Sequence, residues 1–333
     1  MNPTPYGFRV VGHRAGTRRP IDRAAAFVGY AECDPRAEIH REAFLSLFAF
    51  DRTFVEYLKR NRSEAGYSGP CGADWLWWDV DRPNDLPAAL NDTRRLSAAI
   101  LEAHRELDED DLLIFLSGGK GFHVGLPAAW GPEPTPSFHA VAKLYCQDLA
   151  ERAGIVVDAV IYTRTRLFRA PNSRHPKTGL FKRRLSFGEL IYSAPEAIVK
   201  KAAEPEPFEI PTGPATFPSG ADAWRRCVAA VEGRSGNRPA PCDGSKLLDR
   251  AIDGSKLQAL TLDFIRDGAP EGEREVRLFR AAANLAEFDC PPGLAHALLT
   301  EAALDSGLTP SETRRAIDSG LARVRRRGEG GAS

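Results

Sequence analysis

The sequence predicts an α/β or α+β catalytic domain, followed by a small all-α bundle. Three observations carry this. Apolar strand-like runs alternate with helix-spaced stretches around a glycine turn up to about residue 205. From Glu204 to Gly244 the composition shifts to proline and glycine, as in a linker. From Lys246 onward only helical periodicity remains. The expected division is therefore a catalytic domain over 1–205, a linker over 206–245 and a helical domain over 246–333.

Taken in order, residues 36–60 carry Ile39, Phe44, Leu47, Phe48, Phe54 and Leu58 at helical spacing, which predicts one or two amphipathic helices. Trp75 to Val80 is an aromatic, β-prone run ended by Pro83, hence a buried strand. Leu86 to Leu107 returns to helical spacing through Leu90, Leu96, Ile100 and Leu101. Leu112–Leu116 and Phe122–Leu126 flank Ser117–Gly121 and predict a hairpin. A helix over Pro136–Ala153, a short strand over Ile155–Val157 ending at Asp158, and basic strands and turns to about Ile191 complete the domain. In the last domain, Thr309-Pro310-Ser311-Glu312 has the form of a helix N-terminus.

Formal net charge is zero over 333 residues, which excludes an indiscriminately basic coat for nucleic acid. The charge is uneven, however. Arg164, Arg166, Arg169, Arg174, Lys177, Lys182, Arg183 and Arg184 fall in one acid-free block, with Leu167, Phe168, Leu180 and Phe181 among them. Such a block needs an anionic partner or full solvation, and its apolar residues suggest a structured surface. The six cysteines (Cys33, Cys71, Cys146, Cys227, Cys242, Cys290) show no CxxC pair, so reduced thiols and no structural zinc are expected, although Cys33, His40 and Cys71 could converge. No signal-like segment and no long apolar run occurs, so a soluble, cytoplasmic protein without membrane contact is expected.

Three features could carry chemistry. Asp79 and Asp81 lie two apart on a strand, so they share a face roughly 6–7 Å apart. Like charges at that spacing repel unless a cation neutralises them, and hard Mg²⁺ or Mn²⁺ suits carboxylate oxygens. Ser117-Gly118-Gly119-Lys120-Gly121-Phe122-His123 joins two apolar strands. Its backbone N–H groups can cradle an anion, with Lys120 and His123 beside them. It lacks the Ser or Thr and the following helix of a Walker A loop. Asp158 ends an apolar run and could serve as a cap or as a third carboxylate.

In that order, these motifs resemble the catalytic core of the archaeo-eukaryotic primase superfamily, which implies an α+β catalytic domain with a mixed sheet flanked by helices, followed by the small all-α bundle. The resemblance implies that Asp79, Asp81 and Asp158 are catalytic and hold two Mg²⁺ or Mn²⁺ ions, and that Ser117, Gly119, Lys120 and His123 grip the incoming nucleotide. The stretch from Arg166 through Arg169 and Asn172 to Lys177 is similar to the basic segment after the third motif in plasmid and phage primase-polymerases. Arg166 and Arg169 would then bind nucleotide, and Lys177 and Lys182 nucleic acid. Glu271-Gly272-Glu273-Arg274 to Arg280, with Ser311-Glu312 and Ile317-Asp318-Ser319-Gly320, resembles the small helical primase C-terminal domain. It departs from the family pattern at Glu275, where Asn is common. Arg274 and Arg277, three apart on one helix face, would contact phosphates. The implied activity is DNA-templated primer synthesis and nucleotide polymerisation on single-stranded DNA with NTP or dNTP, for replication of a plasmid, phage or other mobile element, with a separate replicative helicase as partner.

Rival readings are a gap-filling or end-joining polymerase of the same superfamily and a non-catalytic nucleic-acid-binding module. The latter leaves three carboxylates beside a phosphate-binding surface unexplained. A DNA-nicking initiator would need a His-hydrophobic-His pair, which the chain lacks.

Overall fold

The computed structural model describes residues 4–236 and 257–329, apart from 15, 65, 83, 271 and 289. Pro83, the linker end at 237–245, Cys242, the start of the helical domain at 246–256 and Glu271 lie outside the described residues. The chain divides into two units, Met1–Glu232 and Gly233–Ser333. The first is α+β and the second helical. No helix among the described residues is long and apolar enough to cross a membrane.

Two antiparallel sheets build the first unit, where the resemblance implied one mixed sheet. The first sheet joins β1 (Tyr6–Val11), β2 (Arg19–Asp22), β3 (Ala43–Ser46), β4 (Ala49–Phe50), β5 (Cys71–Gly72) and β9 (Leu167–Arg169). The second has the order β10 (Arg183–Leu185), β7 (Leu113–Leu116), β8 (Gly121–Pro127), β6 (Trp75–Asp81). Helix α3 (Leu86–Ala103) connects β6 to β7, but β8 folds back from the hairpin and inserts between them. The two strands joined by the crossover therefore never touch, and every neighbouring pair is antiparallel.

Residues 36–60 contain one helix, α2 (Arg52–Asn61), capped by Asp51 on the Thr53 amide, with β3 and β4 before it. The helix-like spacing misleads here because Ala43–Phe50 is buried throughout, so apolar residues occupy both strand faces. Ile155–Val157 is not a strand either. Val156 is 77% exposed, and Asp158 donates one backbone bond to the Asp79 carbonyl, 3.3 Å. The Tyr162 hydroxyl donates to the Trp77 carbonyl at 2.7 Å. These two bonds cover the open edge of β6, which among the described residues pairs only with β8.

The outward face of β6 packs on helices: Trp78 donates its indole N–H to the Cys146 carbonyl of α4 (Phe138–Arg152), 2.8 Å. The inward face carries Trp77, which meets Phe27, Phe115 and Phe168 and so binds the two sheets together. Gly125 opposes Trp77 on β8, and a Cβ there would stand 2.7 Å from the indole, so only glycine admits the ring.

The segment expected to be a linker belongs in part to the first unit. The Phe208 amide donates to the Ala31 carbonyl, and α7 (Pro218–Gly236) buries Trp224 against Trp130, Phe138 and Tyr145. Prolines before α7 mark an extended segment laid along the core rather than a tether. Buried His104 fastens this joint. Its Nδ1 lies 2.9 Å from the Ser219 hydroxyl, which donates to Glu106, and its Nε2 lies 2.9 Å from the Tyr145 hydroxyl. The serine proton is committed to Glu106, so Nδ1–H donates and Nε2 accepts.

The second unit packs α8 (Ala259–Asp267), α9 (Arg274–Glu287), α10 (Pro292–Asp305) and α11 (Pro310–Glu329) around Phe264, Leu278, Leu285, Leu299 and Ile317. Gly320 lets α11 approach the backbone of α9 at Phe279 and Ala283. Buried Asn284 ties α9 to α8 by accepting from the Thr261 hydroxyl (2.9 Å) and the Gln258 amide (3.1 Å).

Burial lowers the His104 pKa from 6.5 to about 4. Between those values the unfolded chain binds more protons than the folded one, so stability falls as the pH drops from 6.5 toward 4. The expected loss from His104 is up to about 3 kcal/mol. Buried His139, also lowered to about 4, adds in the same direction. Denaturant melts across this range should show His104→Gln less stable at neutral pH and less sensitive to acid.

Candidate active site

The register of β6 and β8 builds the centre of the site. Asp79 stands opposite His123, and Asp81 opposite Gly121. Alternation along β6 puts both carboxylates on the inward face with Trp77. The His123 Nε2 lies 3.4 Å from Asp79 Oδ1, and Phe168 of β9 stacks on the imidazole at 4.2 Å. Lys120, at the tip of the hairpin, reaches Asp81 Oδ2 at 2.9 Å. A Cβ on Gly121 would collide with the Asp81 carboxylate and the Val80 carbonyl, so glycine is required opposite this acid.

Few of these charges are well neutralised. Burial raises the Asp79 pKa against the pull of Lys182, Lys120, Arg166 and Arg14. Burial and then the Asp79 charge raise Asp81. Burial, reinforced by Lys182, drives His123 well below 6.5, so the imidazole is neutral at pH 7 and its contact with Asp79 is no salt bridge. Asp79 Oδ1, His123 Nδ1 and Arg169 Nη1 are all buried without a hydrogen-bond partner. Such groups are costly in a protein interior and favour a ligand that satisfies them.

Asp158 enters through its backbone bond to Asp79, and both acids act on Tyr162. Among the described residues, no three His, Cys, Asp or Glu side chains gather closely enough to hold a metal ion. Asp79 and Asp81 instead face His123 and Lys120. Of the expected donors, Asp79 and Asp81 share a strand face and are hard carboxylate ligands, one with a buried oxygen that lacks a partner, which suits a divalent cation, whereas Asp158 is tied to this strand by its backbone.

The turn Ser117–Gly121 is closed by the Ser117 amide donating to the Gly121 carbonyl, 2.9 Å. Gly118 has φ +86°, and the segment Arg174–Leu180 lies against it: Thr178 Oγ1 donates to the Gly118 carbonyl at 2.5 Å. Gly119 sits beside His175.

The structure disperses the basic block. Lys182, expected on the nucleic-acid surface, is 1% exposed. Its ammonium donates to the Arg169 carbonyl at 2.9 Å and lies over Trp77, Phe115 and Phe168, so it cannot reach a nucleic-acid backbone. Arg164 binds the Tyr67 and Pro136 carbonyls, Arg183 pairs with Glu206, and Arg184 donates to the Leu112 carbonyl. Arg166 and Arg169 do lie near Asp79, with Arg169 paired to Glu42 at 3.2 Å. Lys177 is exposed on the loop beside the glycine turn.

In the second unit, Arg274 donates to the Ser306 carbonyl that ends α10, and Arg277 pairs with Glu273 one turn back. Both guanidinium groups thus have partners within their own unit. Two residues near the site escaped the sequence reading. Arg14, on the turn after β1, lies over Phe44 at 5.0 Å and bears on Asp79 and His123. Phe168 was read only as an apolar member of the basic block. Neither position has a local signal, because strands far apart in the chain bring both there.

No family model matches the chain, and no curated protein matches it. Among solved structures, it aligns with a crystal structure of primase RepB′ at 12% identity and a TM-score of 0.30, over 99% of this chain and 95% of that one.

Two substitutions test the geometry. Asp79→Asn removes a desolvated charge without changing shape, so it should raise stability at pH 7 by about 1 kcal/mol. A lower melting temperature would show instead that the carboxylate holds the sheets together. Gly121→Ala must move either the Val80 backbone or Asp81, and should cost about 1–3 kcal/mol. Thermal melts of both variants beside the parent provide the measurement.

Proposed function

We propose that this chain is a primase-polymerase, synthesising and extending primers on single-stranded DNA by nucleotidyl transfer. The observation that carries the reading is the convergence of Asp79, Asp81, Lys120 and His123 on one β6–β8 register, with Asp158 bonded to Asp79. Carboxylates beside an imidazole, an ammonium and a glycine turn suit a triphosphate accompanied by divalent cations better than a bare nucleic-acid backbone, which acids would repel.

Asp79, Asp81 and Asp158 would hold Mg²⁺ or Mn²⁺, which when bound makes a hydroxyl easier to deprotonate and offsets charge on the leaving pyrophosphate. The remaining work falls to the chain's own groups. His123 is neutral, so a single ring N–H is available to a phosphate oxygen without adding charge. Stacking on Phe168 fixes the plane of that ring. Lys120 has an exposed ammonium that can leave Asp81 for a triphosphate. Ser117 and the turn amides can hold phosphate oxygens in place, and Arg169 Nη1 offers an uncommitted buried donor. Lys182 lies beneath this layer and supplies positive potential to Asp79 from inside the core.

Purified protein with single-stranded DNA, labelled nucleotides and Mg²⁺ or Mn²⁺ should form products on both unprimed and primed templates. Products only on primed templates would favour the gap-filling alternative. No product on either would overturn the reading. His123→Ala should lower incorporation at least about tenfold and leave single-stranded DNA binding nearly intact.

A further inference from the structure

The loop after β9 carries a second imidazole next to the glycine turn. The Lys177 and Thr178 backbone amides both point at His175 Nδ1, 3.3 Å each. An atom that accepts from two N–H groups cannot itself carry a proton, so the proton of the neutral ring is on Nε2. That Nε2 lies 3.5 Å from where a Gly119 Cβ would be, nearer than any other atom outside the turn. The His175 Cβ stands 3.2 Å from where a Gly118 Cβ would be. The Thr178 hydroxyl, bonded to the Gly118 carbonyl, locks the loop onto the turn. His175 is half-buried, and Lys177 beside it is exposed.

We infer that His175 donates its Nε2–H to a phosphate oxygen of the nucleotide held by the Ser117–Gly121 turn, and so acts as a second histidine of the triphosphate site. The inference rests on the proposed polymerase reading and deepens it. Two features favour triphosphate over template phosphates. The donor lies against the turn itself, and the turn is flanked by Lys120 and His123, which face the carboxylates Asp81 and Asp79. Glycines at 118 and 119 then have a further purpose: any side chain at 119 would lie between the imidazole and its ligand.

His175→Asn separates a binding role from a structural one. The Asn Oδ1 can take the place of Nδ1 and keep both loop amides satisfied, while its Nδ2 takes the place of Cδ2 and falls short of the Nε2 position, so the N–H donor is drawn back from its ligand. The probe is a fluorescent, non-hydrolysable deoxynucleoside triphosphate titrated into the full chain in the presence of Mg²⁺, with inorganic tripolyphosphate as competitor. His175→Asn should weaken both the analogue and tripolyphosphate by about tenfold, with an unchanged melting temperature and unchanged affinity for single-stranded DNA. Equal triphosphate affinity in parent and variant overturns the inference and leaves the polymerase reading standing. Lost DNA affinity with intact triphosphate affinity overturns it in favour of a template contact. A parent chain that binds no triphosphate and incorporates no nucleotide overturns both. Should His175→Asn melt early, Gly119→Ala provides the same test from the other side. Its Cβ makes an ordinary contact with Nε2 and shields it, so undiminished triphosphate binding by that variant also overturns the inference.

Discussion

Asp79 and His123 face each other across one antiparallel register, on the face of the second sheet that packs against the first. That placement puts a carboxylate, an imidazole and the Lys182 ammonium into a layer dominated by Trp77, Phe115 and Phe168. Desolvation acts on all three in the direction of neutrality. A protein optimised only for stability would fill such a layer with apolar side chains. Here the surrounding structure holds these polar groups in place: Phe168 stacks on His123, the Arg169 carbonyl accepts from Lys182, and Tyr162 and Asp158 bond to the carbonyls of the β6 edge. Groups kept at a cost to stability and left without partners are what a binding site for a charged ligand requires.

The glycines of the hairpin follow from the same constraint. Gly121 and Gly125 are not turn residues but strand residues of β8, and each stands opposite a side chain that needs the space: Asp81 and the Trp77 ring. Gly118 combines a positive φ with close approach of the 174–180 loop. The hairpin is thus shaped from both sides, by β6 across the sheet and by the loop above the turn.

The basic block shows how far composition can mislead about location. Eight cations without an acid between them suggest a surface. In the fold, the chain through this segment crosses between the two sheets, as β9 in one and β10 in the other. Lys177 lies on the exposed turn between them, whereas Lys182, just before β10, points into the core under Trp77, Phe115 and Phe168. Several of the arginines are satisfied by carbonyls or by acids far away in sequence, such as Glu42 and Glu206. The C-terminal arginines behave similarly, since Arg274 holds the end of a helix and Arg277 pairs with Glu273.

Local periodicity was enough to read the strand bearing Asp79 and Asp81, the hairpin bearing Lys120 and His123, the helices after residues 86 and 136, and the helical character of the described C-terminal unit. In each, a short β-prone apolar run, an explicit turn or a helical apolar stripe marks the element. The readings failed where both faces of a segment are buried, as at 43–50, and where one edge contact replaces a strand, as at Asp158. Proline and glycine content likewise misplaced residues 206–232, because the extended backbone before Pro218 and the helix after it both pack on the first unit. The sequence by itself determined which residues could do chemistry and which of them share a strand face, since alternation and turn formation are short-range. Only the tertiary structure decided that Phe168 stacks on His123, that Lys182 is internal, and that Arg14 and His175 stand near the carboxylates and the turn. Those placements depend on how two sheets pair and pack across long separations, where burial and sterics select among partners that local sequence leaves equivalent.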